Sequence, residues 1–366
     1  MSSPSAAELR AAYAGRRVLV TGHTGFKGSW LTQWLADLGA EVTGYALAPD
    51  TTPALFERAG VARHCRSVIA DVRDLPRLGA VVAEARPEVI LHLAAQPLVR
   101  LSYEQPLETL QVNVLGTAHL LEAVRAAGRP CAVVVVTSDK CYENHERPGG
   151  YREDEPLGGH DVYSMSKGAA ELVTASWRRS FFHPDRLATH GVAVATARAG
   201  NVVGGGDWAR DRIVPDAIAA LATGRAIPVR NPLGVRPWQH VLEPLSGYLL
   251  LGARLLGPDA AAFAEPWNFG PRLEDARPVR EVVEAIIAAW GSGSWIDTHD
   301  PAAPHEAGLL RLDVGKAAAR LGWAPRWHFA ETFRRTVEWY RAIHQGASEE
   351  ALAALCRQQI HDYLEA

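Results

Sequence analysis

The chain has 366 residues, 48% of them hydrophobic and 22% charged, with a net charge of −3. Such a composition argues against global disorder and allows one large domain or two intimate ones. A slightly acidic balance gives no electrostatic case for nucleic acid or an anionic membrane as partner.

Taken in chain order, the first half alternates strand and helix. Arg17 to Thr21 is a short apolar strand ending in glycines, and Ser29 to Leu38 reads as a helix. Strands follow at Glu41–Tyr45, Ser67–Ala70, Glu88–Leu93, Ala132–Thr137 and Gly191–Ala197, the last three runs dominated by β-branched and aliphatic residues. Continuous apolar strands separated by helical stretches predict an α/β, Rossmann-type doubly wound parallel sheet with right-handed crossovers. After about Gly200 the rhythm breaks into Gly204-Gly205-Gly206 and a run of prolines at 215, 228, 232, 237 and 244. The expected division is a cofactor-binding domain over 1–200, receiving segments from the second half, and a smaller interleaved domain over 201–366.

No stretch from Met1 to Arg17 has the apolar core of a signal peptide, and no apolar run approaches a membrane span. The four cysteines lack CxxC spacing and no HExxH occurs, so the expectation is free thiols in a reducing cytoplasm and no metal.

Gly22-His23-Thr24-Gly25-Phe26-Lys27-Gly28 follows the first strand and opens the first helix. Glycines there let backbone approach a pyrophosphate, whose charge suits a helix N-terminus. Gly22, Thr24, Gly25, Phe26 and Gly28 are therefore cofactor candidates. Asp71 and Val72, after the third strand, are placed to meet the adenine, and Leu93, Ala94 and Ala95, after the fourth, to flank the nicotinamide half. The second strand ends Tyr45-Ala46-Leu47 with Asp50 a little late and no arginine nearby, which leaves NAD against NADP open.

Of the 38 basic residues only four are lysine: Lys27, Lys140, Lys167 and Lys316. Where arginine serves as the generic cation, a lysine points to a task needing a compact or titratable charge. Lys167 belongs to Tyr163-Ser-Met-Ser-Lys167, a YxxxK whose i, i+4 spacing puts both side chains on one helix face. An ammonium there favours phenolate, so that Tyr163 can accept a proton from an alcohol under oxidation. Ser138, at the end of the fifth strand, is placed to hydrogen-bond the same oxygen. Lys27 lies either near the cofactor phosphates or toward solvent, and Lys316 has no evident role.

Together, VTGHTGFKGSWL (19–31), HLAAQPLVRLSY (92–103), TSDKCYEN (137–144), PLGGHDVYSMSKGAAEL (156–172), ARAGNVVGGGDW (197–208), RPWQHVLEPLSGYL (236–249) and WNFGP (267–271) resemble the nucleotide-sugar 4,6-dehydratases of the extended short-chain dehydrogenase/reductase superfamily. GHTGFKG and TSDKCY resemble the CDP-glucose branch. The resemblance implies NAD as cofactor and CDP-glucose as substrate. The reaction it implies is C4 oxidation, loss of water across C5–C6 and return of the hydride to C6. It also implies a homodimer or dimer of dimers paired through helices around 105–127 and 161–182.

Carried over by position, Tyr163 would be the base at the C4 hydroxyl, Lys167 would hold it and the nicotinamide ribose, and Ser138 would orient the C4 oxygen. Asp139 would be the acid for the departing C6 hydroxyl. Lys140 stands where dTDP-glucose dehydratases carry glutamate; it would be the C5 base, directly or through water, or else an electrostatic stabiliser of the enolate. Asn201, Arg210, Arg212, Arg230, Arg236 and Asn268 are candidates for the diphosphate, base and ribose. A sugar 4-epimerase, a decarboxylase or a non-catalytic nucleotide-sugar-binding protein on the same core are the alternatives. Asp139-Lys140 speaks against epimerisation, and the proton-transfer residues speak against a mere binder.

Overall fold

A computed structural model of the chain describes residues 5–299 and 309–366. Its centre is a seven-stranded parallel sheet. The strands are β1 (Arg17–Thr21), β2 (Glu41–Ala46), β3 (Arg66–Ile69), β4 (Val89–His92), β5 (Cys131–Val136), β6 (Val192–Arg198) and β7 (Pro266–Asn268). Their spatial order is β7-β6-β5-β4-β1-β2-β3. The order reverses between β1 and β4, the switch point at which open α/β sheets bind ligands beyond the strands' carboxyl ends. β4, β5 and β6 are buried at every position, as strands covered by helices on both faces must be.

Six strands follow the periodicity of the sequence to within a residue or two. β7 does not: three residues, Pro266-Trp267-Asn268, pair with Thr196-Ala197-Arg198 and carry too little pattern to be read as a strand. With β7 the second half of the chain completes the sheet. Helix Leu242–Leu255 also comes from the second half and is almost wholly buried. The Tyr13 hydroxyl, from the N-terminal helix Ala6–Tyr13, donates to its Leu249 carbonyl at 2.8 Å.

The prolines of the second half do not all break helices. Pro215 and Pro244 sit in the first turns of helices Ile213–Ala222 and Leu242–Leu255, where a missing N–H removes no intrahelical bond. The remaining extended segments form two-stranded pairs: Val202–Val203 with Gln239–His240, Ile227–Val229 with Trp295–Asp297, and Val235–Pro237 with Ala276–Pro278. No helix among the described residues is long and apolar enough to cross a membrane.

Candidate active site

Parallel strands deliver all their carboxyl ends to one edge, so β1, β4, β5 and β6 converge there. After β1 the chain turns at Gly22 with φ +76°, and a Cβ on that residue would lie 2.8 Å from the Ala94 amide nitrogen. Only glycine fits. A Cβ on Gly28 would run into the Gly22 carbonyl. Gly25 is the N-cap of helix Phe26–Asp37, no side chain caps it, and its first turn holds no acid. Its leading amides are therefore open to an anion. A wound turn, an uncapped helix start and small residues at the end of β4 fit the pyrophosphate of a dinucleotide.

Around that turn, Thr24 donates to the Leu47 carbonyl at 2.8 Å, joining the turn to the end of β2. The Asp71 carboxylate is clasped by Arg73 at 2.5 Å, and Val72 packs on Gly116. His23, not singled out from the sequence, is fully buried: Nε2 lies 2.7 Å from Ser67 Oγ and its ring covers Gly44 of β2. Burial lowers its pKa to about 4, so the ring is neutral.

After β5 the chain forms a single tight turn, Asp139–Cys141, capped by Ser138, whose Oγ accepts from the Lys140 amide at 3.3 Å. Ser138 Oγ donates to Asp139 Oδ1 at 2.9 Å, and Lys140 Nζ reaches the same oxygen at 3.3 Å. Asp139 is wholly buried and its Oδ2 has no partner. An orphaned carboxylate oxygen inside a protein is costly, and this one lies where a Cβ on Gly200 would stand.

Helix Val162–Ser180 brings Tyr163 and Lys167 to this turn. Tyr163 stands within electrostatic reach of Ser138, Asp139 and Arg212. Lysine was expected to lower the phenol's pKa, but desolvation wins. Burial pushes Tyr163 up to about 12, with Ser138 and Arg212 opposing and Asp139 adding to the rise. Lys167 is itself pulled down to about 8 by burial, which weakens it as a countercharge.

Two further cations enter the cluster. Lys27 turns inward: its Nζ donates to Tyr248 Oη at 3.2 Å. Burial first, then the charges of Lys167 and Arg212, lower its pKa to about 7, with Asp139 opposing. Arg212 pairs with the buried Asp207 at 2.7 Å. Tyr163 and Arg212 feel one another's charge.

The other substrate candidates separate. Asn201, after β6, holds φ +48° and leaves a buried Oδ1 unpartnered, two signs of a residue shaped for a ligand. Arg236 is half-buried on the Val235–Pro237 strand, with one nitrogen on the Val235 carbonyl at 3.0 Å. Arg210 is exposed, and Arg230 pairs with Asp211 at 2.6 Å in the open.

Asn268 must be withdrawn as a substrate ligand. It is fully buried, its Oδ1 accepts from Tyr142 at 2.7 Å, and its Nδ2 donates to the carbonyls of Tyr151 and Asp313. Its amide is saturated by protein. It belongs to a network behind the Asp139–Cys141 turn, in which Glu171 pairs with Arg198 at 2.9 Å and accepts from Thr137 and Thr196, and Arg198 donates to Tyr142. Sequence inspection missed this network, although Tyr163, Lys167 and Glu171 recur at i, i+4 and i+8 on one helix face.

Known proteins resemble this chain over most of its length. The model of the GDP-mannose 4,6 dehydratase family matches residues 19–252, and the chain belongs to that family. It is 51% identical over 358 residues, 97% of this chain and 98% of the other, to the CDP-glucose 4,6-dehydratase of Salmonella typhimurium. A dTDP-glucose 4,6-dehydratase of Streptomyces antibioticus is 33% identical over 88% of this chain and 92% of its own. Among solved structures, DesIV of Streptomyces venezuelae, a dTDP-glucose 4,6-dehydratase with NAD bound, superposes with a TM-score of 0.75 at 27% identity, covering 90% of this chain and 98% of its own.

Proposed function

We propose that the chain is an NAD-dependent CDP-glucose 4,6-dehydratase, converting CDP-D-glucose to CDP-4-keto-6-deoxy-D-glucose and water. The observation that carries this is the bonded set Ser138–Asp139–Lys140 beside Tyr163, with its buried, half-partnered carboxylate. CDP-glucose rests on the 51% identity to the Salmonella typhimurium enzyme. NAD, when bound, takes up the C4 hydride and returns it to C6. Tyr163 and Ser138 hold the C4 hydroxyl and remove its proton. The C4 ketone acidifies C5–H, and Lys140 removes that proton directly or through a water. Asp139 protonates the C6 hydroxyl as it leaves, a step that 4-epimerisation does not need. Lys167 anchors the nicotinamide ribose. Asn201, Arg212 and Arg236 bind the nucleotide diphosphate, with Arg210 and Arg230 at its outer edge.

Residues 1–200 carry the cofactor and 201–366 mainly the nucleotide sugar. Exposed Leu107, Leu115 and Leu172, on the segments where the family resemblance puts the subunit contact, support pairing of two copies. Four unpaired cysteines suit a reducing cytoplasm.

Incubation with CDP-, dTDP-, UDP- and GDP-glucose, followed by NMR, should give the 4-keto-6-deoxy product from CDP-glucose. Formation of CDP-galactose would establish an epimerase. No product from any of the four, with NAD bound, would establish a binding protein.

A further inference from the structure

Two elements far apart in the chain must act on one sugar. Helix Val162–Ser180 carries Tyr163 and Lys167, which serve the C4 oxidation, and the Asp139–Cys141 turn carries Asp139 and Lys140, which serve the elimination. The two steps are consecutive in the proposed reaction, on which this inference rests, so helix and turn must keep one register. A misplacement of about 1 Å can cost a reacting group a factor of about 100.

The buried Glu171–Arg198 pair touches both elements. Glu171 lies on the tyrosine helix, one turn beyond Lys167. Its Oε1 accepts from Thr137 Oγ1 at 2.5 Å, and Thr137 immediately precedes Ser138, the cap at which the turn begins. Its Oε2 accepts from Thr196 of β6 at 2.7 Å and from Arg198 Nη2 at 2.9 Å. Arg198 Nη1 donates to Tyr142 Oη at 2.7 Å, and Tyr142 immediately follows Cys141, where the turn ends. Tyr142 Oη donates in turn to Asn268 Oδ1 of β7 at 2.7 Å. One flank of the turn is thus tied to the carboxylate, and the other to the guanidinium, of a single ion pair.

Replacing a buried ion pair by apolar residues of similar volume is often neutral for stability, so cohesion alone does not call for one. Hydrogen bonds add direction, which apolar packing lacks. Gly168, next to Lys167, sets how closely the helix stands: a Cβ there would lie 2.8 Å from the Gly158 carbonyl oxygen and 3.2 Å from that of Cys141. The bonds of Glu171 set where along its axis the helix sits. We infer that Glu171 and Arg198 are positioning residues that hold the tyrosine helix in register with the Asp139–Lys140 turn, the Thr137 end governing C4 oxidation and the Tyr142 end governing elimination. Thr137 adjoins Ser138, at the C4 oxygen, whereas Tyr142 closes the side of the turn that carries Lys140.

Removing one hydroxyl at each end tests this. Thr137→Val keeps the shape and deletes the bond to Glu171; Tyr142→Phe deletes the bonds with Arg198 and Asn268. Two stopped-flow readings are taken with the holoenzyme. CDP-6-deoxyglucose, which has no C6 hydroxyl to lose, reports C4 oxidation alone as NADH absorbance. CDP-glucose reports the build-up of NADH during turnover, which rises when elimination lags behind oxidation. Thr137→Val should slow oxidation of the analogue about 10- to 100-fold with no added build-up, the scale of a misplaced reacting group. Thr137→Ser, which keeps the hydroxyl, should restore the rate. Tyr142→Phe should oxidise the analogue at close to the wild-type rate and accumulate NADH with CDP-glucose. Any other pattern in either variant, equal slowing of both steps or wild-type behaviour included, would overturn the inference, because a pair that only stabilises the fold does not distinguish the steps. A wild-type holoenzyme that forms no 4-keto-6-deoxy product from CDP-glucose would overturn the dehydratase reading itself, and this inference with it.

Discussion

The inner and outer parts of the site are built on opposite terms. Inside, Ser138, Asp139, Tyr163, Lys167 and Glu171 are all buried, and Asp139 keeps an unpartnered oxygen. Outside, Arg230 and Asp211 form an ion pair in solvent, and Arg210 is exposed. Charges placed inside raise the energy of the folded state unless paired, but act strongly on a substrate; those at the rim cost little and do less. Catalytic power and folding stability should therefore trade against one another residue by residue, steeply inside and hardly at all at the rim.

The largest expected effect tests the support beneath the inner part. Arg198→Met strands the buried Glu171 carboxylate and should cost about 3–5 kcal/mol in urea denaturation. Adding Glu171→Leu should recover much of that loss, since the uncompensated charge is then gone. A double variant no more stable than the single would show that packing, not charge, dominates.

Next is Lys27, whose folded pKa lies near 7 against an ordinary 10.5. Between those values the unfolded chain binds the proton that the folded chain has shed, so wild-type stability rises with pH from about 7 to about 10.5. Lys27→Met lacks this dependence. It should be more stable than wild type at pH 7, by up to about 4 kcal/mol, with the gap closing toward pH 10.5. Parallel stability curves for the two proteins would place Lys27 outside the costly inner set.

The smallest effects compare the arginines. Arg212→Met, which strips Asp207 of its ion-pair partner, should reduce kcat/KM roughly 10- to 100-fold, on the scale of a lost charge-assisted hydrogen bond. Arg230→Ala should change it by less than about 3-fold, as exposed ion pairs contribute little. Equal losses would erase the boundary between the inner and outer parts.

Much of the inner site was legible because it is local. YxxxK places two side chains on one helix face through α-helical periodicity alone, and the glycine turn follows from steric demands at Gly22 and Gly28. The six longer strands announced themselves by continuous apolar runs. β7 did not, because three residues have no period to detect, and it is recruited by pairing with β6 across some 70 residues of chain. Asn268 was misassigned for the same reason: a conspicuous polar residue in WNFGP reads like a ligand, whereas its partners lie at Tyr142, Tyr151 and Asp313.

By itself, then, the sequence determined six of the sheet's seven strands, the glycine turn and the helical spacing that puts Tyr163 and Lys167 on one face, since each depends on spacing within a few residues. Tertiary structure alone decided which arginine Tyr163 feels, that Lys27 turns inward, and that burial outweighs every neighbouring charge at Tyr163. Those outcomes depend on desolvation and on charges brought together from distant segments, and neither is written in any local pattern.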